Sequence, residues 1–141
     1  MIVDLHTHLW QSPDQLGEQI SKQLRERFAE RYEMLDAGPQ AHEAAMEPVD
    51  YAVVLGFRSK YLGADLPNQM LVDYVSKRAD KMIGFAGVDP TETTCLPEVE
   101  QIPAQGLSGI TISPAAQDFH PVDTRAMAVY EACESLGLPV E

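Results

Sequence analysis

Asp4, His6 and His8 occupy alternate positions in the apolar stretch Ile2-Val3-Asp4-Leu5-His6-Thr7-His8-Leu9. Ile2, Val3 and Leu5 predict a strand, in which residues two apart point to the same side. The spacing therefore predicts that Asp4, His6 and His8 share one face, with Val3, Leu5, Thr7 and Leu9 on the other. Two imidazoles side by side at the end of a buried strand are costly unless something binds them. Neutral imidazole is a good ligand for zinc and similar divalent ions. Ordinary hydrogen bonding of both rings is the bland alternative; the metal reading is preferred, with His6 and His8 as ligands. A catalytic zinc has about three protein ligands plus a water, so two histidines alone leave a site under-coordinated. Asp4, one step deeper, is a candidate to orient a ligand from behind, with a purely structural carboxylate as the equal alternative.

Three further residues are candidates for contacting a small-molecule substrate. Trp10 follows the histidines directly and could wall a pocket or simply pack on the first loop. Arg58, after the second predicted strand, could clamp a carboxylate bidentately, against the plainer reading of an arginine paired with one of 22 acidic residues. His120 lies in the loop after the fourth predicted strand. His42 reads as solvated, and Asp89, before Pro90, as a turn or cap residue.

The elements that position these residues alternate. Ser12-Pro13-Asp14-Gln15 carries a capping box, and Leu16, Ile20, Leu24, Phe28 and Tyr32, with Leu35 beyond, predict one amphipathic helix. A short helix is expected over Gln40 to Glu47. The apolar run Tyr51 to Gly56 predicts a second strand, buried on both faces as in a parallel sheet. A loop through Arg58, Lys60 and Gly63 and a helix from Pro67-Asn68 follow. Met82 to Val88 is the third strand, and Gly84 and Gly87 in it suggest close packing. Thr93 or Thr94 opens the next helix. Leu107 to Ile112 is the fourth strand, a loop runs through Pro114 and His120 to Pro121, and Asp123 or Thr124 caps a helix ended by Gly137. Leu138 to Glu141 opens a fifth strand. This βαβαβαβαβ order predicts a parallel α/β sheet. A doubly wound sheet and a (β/α)8 barrel both fit, but no glycine-rich phosphate loop follows the first strand, and a metal pair at a strand's carboxyl end suits the barrel.

Composition agrees with a single globular unit of 141 residues, 45% hydrophobic and 23% charged. A net charge of −12 argues against nucleic-acid or anionic-membrane partners. No apolar run approaches the roughly 20 residues of a membrane span. No basic region precedes the first strand, which makes a secretory signal unexpected. Cys95 and Cys133 lack metal spacing and read as reduced, helix-packed residues, so the cytoplasm is the expected location.

The run Asp4-Leu5-His6-Thr7-His8-Leu9-Trp10 resembles the first-strand signature of the amidohydrolase superfamily, in its branch of predicted metal-dependent hydrolases and aminocarboxymuconate-semialdehyde-type decarboxylases. Gly84 to Pro90 resembles that branch's third strand, Gly106 to Ile112 its fourth, and Phe119 to Asp123 with Leu136 to Val140 the approach to its fifth. The resemblance implies that residues 1–141 are the N-terminal portion of a single (β/α)8 TIM barrel, an incomplete one of about four βα units plus the start of strand five. Such barrels hold about 250 residues. It further implies another ligand histidine at the end of strand five and an aspartate after strand eight, both beyond Glu141. Ser108 and Thr111 stand where many members carry a lysine, which favours one divalent metal ion over two: zinc, with manganese as the other option.

The implied activity is hydrolysis of a small carboxylate, amide, ester or lactone-like substrate through a metal-activated water. Non-oxidative decarboxylation by the same geometry is the alternative within the family. A catalytically incomplete half-barrel that oligomerises is the alternative outside it, and the partner is then a second copy or the missing C-terminal half. A phosphoesterase or deoxyribonuclease can also begin with His-x-His, but the acidic charge and the lack of a Ser-Asp-Gly step weigh against it.

Overall fold

The computed structural model describes residues 1–28 and 37–141. The part of the expected first helix that carries Tyr32 and Leu35 lies outside them.

Four parallel strands form one sheet in sequential order. They are β1 (Val3–Thr7), β2 (Tyr51–Leu55), β5 (Met82–Gly87) and β6 (Gly109–Thr111). Between β2 and β5 a two-residue ribbon pairs β3 (Arg58–Ser59) with β4 (Ala64–Asp65) antiparallel. This ribbon replaces the expected plain loop. Beyond β6, Val140 bridges Ile110 in parallel: the Ile110 N–H donates to the Pro139 carbonyl and the Glu141 N–H to the Ile110 carbonyl, at the start of a fifth strand. Each crossover adds its strand beside the last, with no reversal of order. That is barrel topology rather than the doubly wound alternative.

The helices are α1 (Glu18–Phe28), α2 (Pro39–Ala45), α3 (Asn68–Val75), α4 (Cys95–Gln101), α5 (Pro114–Gln117) and α6 (Thr124–Leu136). The capping box of Ser12 and Gln15 forms, but it caps only a 3-10 turn, Pro13–Leu16. Gly17 then takes φ +85, and a Cβ there would meet the Leu62 carbonyl at 2.1 Å. A side chain fits neither that φ nor that gap, so the expected single helix is broken and α1 begins afresh. Asp123 caps α6 through the Arg125 amide. The expected loop at Pro114 instead makes the short α5.

Ala52 and Val54 of β2, Met82 and Ala86 of β5 and Ile110 of β6 face the helix layer. There they pack with Leu71, Tyr74, Cys95, Val99, Val129 and Cys133 into one core. Both cysteines are buried free thiols on helices, and burial pushes the Cys95 thiol up to about 12. The intervening residues, Val53, Leu55, Ile83, Phe85 and Thr111, point to the other face, the barrel interior. No helix among the described residues is long and apolar enough to cross a membrane.

Candidate metal centre

β1 is not a regular strand. Asp4 pairs with Ala52 but Thr7 pairs with Val54, so three steps on β1 match two on β2. This is a bulge. The Asp4 carboxylate supports it by accepting the backbone N–H of His6 at 3.0 Å, a donor that a regular ladder would use. Cross-strand partners point to the same side, so Asp4 and Thr7 both lie with Ala52 and Val54 on the helix side. His6 and His8, flanking Thr7, turn to the barrel interior. The expected common face of Asp4 with the histidines is thus corrected: the extra residue shifts the alternation between them. Asp4 reaches His6 through the backbone.

The two imidazoles meet edge to face, centroids 5.1 Å apart, at the carboxyl end of β1. Each Nδ1 is held by an acceptor. His8 Nδ1 lies 2.8 Å from the Leu55 carbonyl oxygen at the end of β2. His6 Nδ1 lies 2.7 Å from Glu141 Oε1, across the barrel interior. A carbonyl and a carboxylate only accept, so both Nδ1 atoms carry the proton. In the neutral rings both Nε2 atoms are then lone pairs, and they face each other at 3.3 Å. Burial pushes the His8 pKa below its ordinary value, with the His6 charge adding to the effect, against the opposing pull of the Leu55 carbonyl. That favours the neutral ring a metal needs.

This geometry fits a divalent ion. Two nitrogens each about 2.0–2.1 Å from a tetrahedral ion lie about 3.3 Å apart, close to the separation of the two Nε2 atoms. The fit is to two ligands only. Among the described residues no group of three or more His, Cys, Asp or Glu could hold a metal ion.

Trp10 is half-buried, and its backbone N–H donates to the Ala37 carbonyl. Arg58 is ion-paired: Nη1 lies 2.6 Å from Glu98 and 3.7 Å from Glu92, and Nε 3.4 Å from Asp65. Burial alone would lower its pKa, but these carboxylates outweigh it and raise it. Its guanidinium is occupied, as in the plainer of the two readings. His120 is exposed, and its Nδ1 accepts the Val122 amide in a surface turn. Neither Arg58 nor His120 has a hydrogen bond to the histidine pair.

His42 departs from expectation. It is 5% exposed, not solvated. Its Nε2 lies 2.7 Å from Thr7 Oγ1 and its Nδ1 2.7 Å from the Tyr74 hydroxyl. Burial lowers its pKa, Asp4 opposes and His8 reinforces the shift. Asp89 does act as a turn residue, accepting the amides of Lys60 and Thr91 and the Thr91 hydroxyl. Two residues had no signal of their own in the sequence. Glu141 is a lone carboxylate at the head of strand five. Gln117, 1% exposed, donates to the Arg58 and Val88 carbonyls and accepts from the Ser113 amide, tying the loops at the barrel's carboxyl end.

The sequence profile of the amidohydrolase family matches residues 3–141. No curated protein matches the sequence. Among solved structures, 5-carboxyvanillate decarboxylase from Novosphingobium aromaticivorans, with bound manganese, superposes with a TM-score of 0.71 at 16% identity. That match covers 99% of this chain and 49% of the decarboxylase. A probable 2-pyrone-4,6-dicarboxylic acid hydrolase from Acinetobacter baumannii superposes with a TM-score of 0.63 at 20% identity, covering 99% and 48%. The 4-oxalomesaconate hydratase of Rhodopseudomonas palustris gives 0.63 at 20%, covering 99% and 51%. The chain thus spans about half the length of these structures, and its four strands correspond to an incomplete barrel.

Proposed function

The chain belongs to the amidohydrolase family, and from that premise we propose that it supplies the first half of a metal-dependent hydrolase active site. The substrate class is a small carboxylate, amide, ester or lactone-like compound. The observation that carries this reading is the pair of Nε2 lone pairs of His6 and His8, 3.3 Å apart at the carboxyl end of β1, where barrel enzymes hold their chemistry. A divalent ion, zinc or manganese, supplies Lewis acidity and acidifies water when bound at such a place.

The chain's own residues prepare the site. Leu55 and Glu141 each hold the Nδ1 proton of one histidine, fixing its tautomer and the direction of its free lone pair. Val53, Leu55, Ile83 and Phe85 make the wall behind them apolar. The described residues bring together two ligands only, whereas a catalytic zinc takes about three, so the 141-residue chain alone is expected to show little or no turnover.

Decarboxylation by the same geometry is the second reading. It draws on the manganese-bound decarboxylase among the structural neighbours. The deciding experiment incubates the full-length protein, loaded with zinc or manganese, with lactones, amides and carboxylated aromatic acids. Hydrolysis that is lost in His6→Ala and His8→Ala supports the first reading. Carbon dioxide release without hydrolysis supports the second, and no metal-dependent turnover of either kind contradicts both.

A further inference from the structure

We propose that His42 is a positioning residue for the histidine pair, acting through Thr7 to hold the bulge that turns His6 and His8 into the barrel. The proposal rests on the reading of His6 and His8 as metal ligands.

Asp4 faces the helix layer opposite Ala52. Were β1 regular from Asp4 onward, His6 and His8 would also face the helix layer and Thr7 the interior, because side chains alternate with period two. The one-residue insertion reverses this. Something must make the bulged register better than the regular one. Asp4 contributes by capturing the His6 amide. Thr7 supplies the second hold. In the bulged register its hydroxyl enters the apolar helix layer, where an unpaired hydroxyl is costly. It is paired there: His42 Nε2 lies 2.7 Å from Thr7 Oγ1.

His42 is itself fixed from behind. Its Nδ1 meets the Tyr74 hydroxyl at 2.7 Å, and the two rings pack edge to face with centroids 5.3 Å apart. A neutral imidazole between two hydroxyls has one donor and one acceptor, both used. The chain Thr7–His42–Tyr74 thus joins β1 to α2 and α3, with Thr7 sitting between the two candidate ligands. Shifted by one residue, β1 would leave His42 buried without its Thr7 partner.

The test uses Thr7→Val, which keeps the shape but removes the hydroxyl, and Thr7→Ser, which restores it. Both are made in the full-length protein. Manganese and zinc affinities are measured by titration calorimetry, and folding by thermal unfolding. Thr7→Val is expected to fold and to bind metal on the order of 10-fold more weakly, while Thr7→Ser binds within about threefold of the parent. A crystal structure of metal-free Thr7→Val is expected to show the β1 register altered or the Nε2 atoms separated. Thr7→Val with parental affinity and an unchanged bulge overturns the proposal. Should the parent protein itself bind no metal, the ligand reading fails, and the β1 register in metal-free Thr7→Val still decides whether the hydroxyl holds the bulge.

Discussion

The carboxylate of Glu141 meets Nδ1 of His6 at 2.7 Å, joining the head of the fifth strand to the end of the first. Residues 135 positions apart are in contact because the sheet curves enough for side chains to span its interior. The contact fixes which nitrogen of His6 is free. Glu141→Gln keeps the size but loses the charge, and its amide can present either a donor or an acceptor to Nδ1. Metal affinity of the full-length protein is expected to fall about 10-fold. An unchanged dissociation constant would show that His6 needs no such support.

Burial holds the pKa of His42 below its ordinary value of 6.5. In the window between the folded pKa and 6.5, the unfolded chain takes up a proton that the folded protein refuses. Stability from this residue is therefore complete above about pH 6.5, declines as pH falls through the folded pKa, and is level below it. Urea unfolding of the parent and His42→Gln across this range is expected to show a smaller loss toward acid in the variant. Identical pH dependence in both would contradict the prediction.

Gly87 ends β5 against the chain that leaves β2. A Cβ at Gly87 would lie 2.4 Å from the Phe57 nitrogen and 2.7 Å from the Gly56 carbonyl carbon. Both neighbours are backbone. Asn68 also clamps Gly87 by accepting its N–H and donating to its carbonyl, at 2.9 and 3.1 Å. Gly87→Ala is expected to destabilise the protein by about 2–3 kcal/mol, measured by chemical denaturation. A loss below about 0.5 kcal/mol would mean that the two strand ends separate freely.

β1 is a sheet edge whose apolar residues are open: Val3 is 41% and Leu5 65% exposed. An open edge with unpaired backbone groups pairs with another strand. The match to the structural neighbours covers about half of each of them, and strands of such a second half would cover this edge. The 141-residue chain by itself is expected to self-associate at micromolar concentration in sedimentation velocity. A compact, cooperatively folding monomer would contradict this.

The strands were legible because each is a short continuous apolar run between turn residues, as in Tyr51 to Gly56 and Met82 to Val88. The His6–His8 pair was legible because its spacing is local. What could not be read depended on distant partners. The β1 bulge exists only against Ala52 and Val54, and strict alternation therefore put Asp4 on the wrong face. His42 looked solvated among polar neighbours, since nothing nearby announces Thr7, 35 positions earlier, or Tyr74, 32 later. Arg58 was open between two readings until Glu98, 40 positions on, closed around it. The break at Gly17 likewise needed the Leu62 carbonyl.

His6 and His8 are proposed to share one metal ion through Nε2. X-ray absorption at the metal edge of the full-length protein, loaded with one equivalent of zinc or manganese, tests it most directly. Imidazole scattering from nitrogens at about 2.0–2.1 Å is expected for zinc, reduced by one imidazole in His6→Ala and again by one in His8→Ala. Imidazole scattering that neither substitution changes, or a metal that does not bind at all, would contradict it.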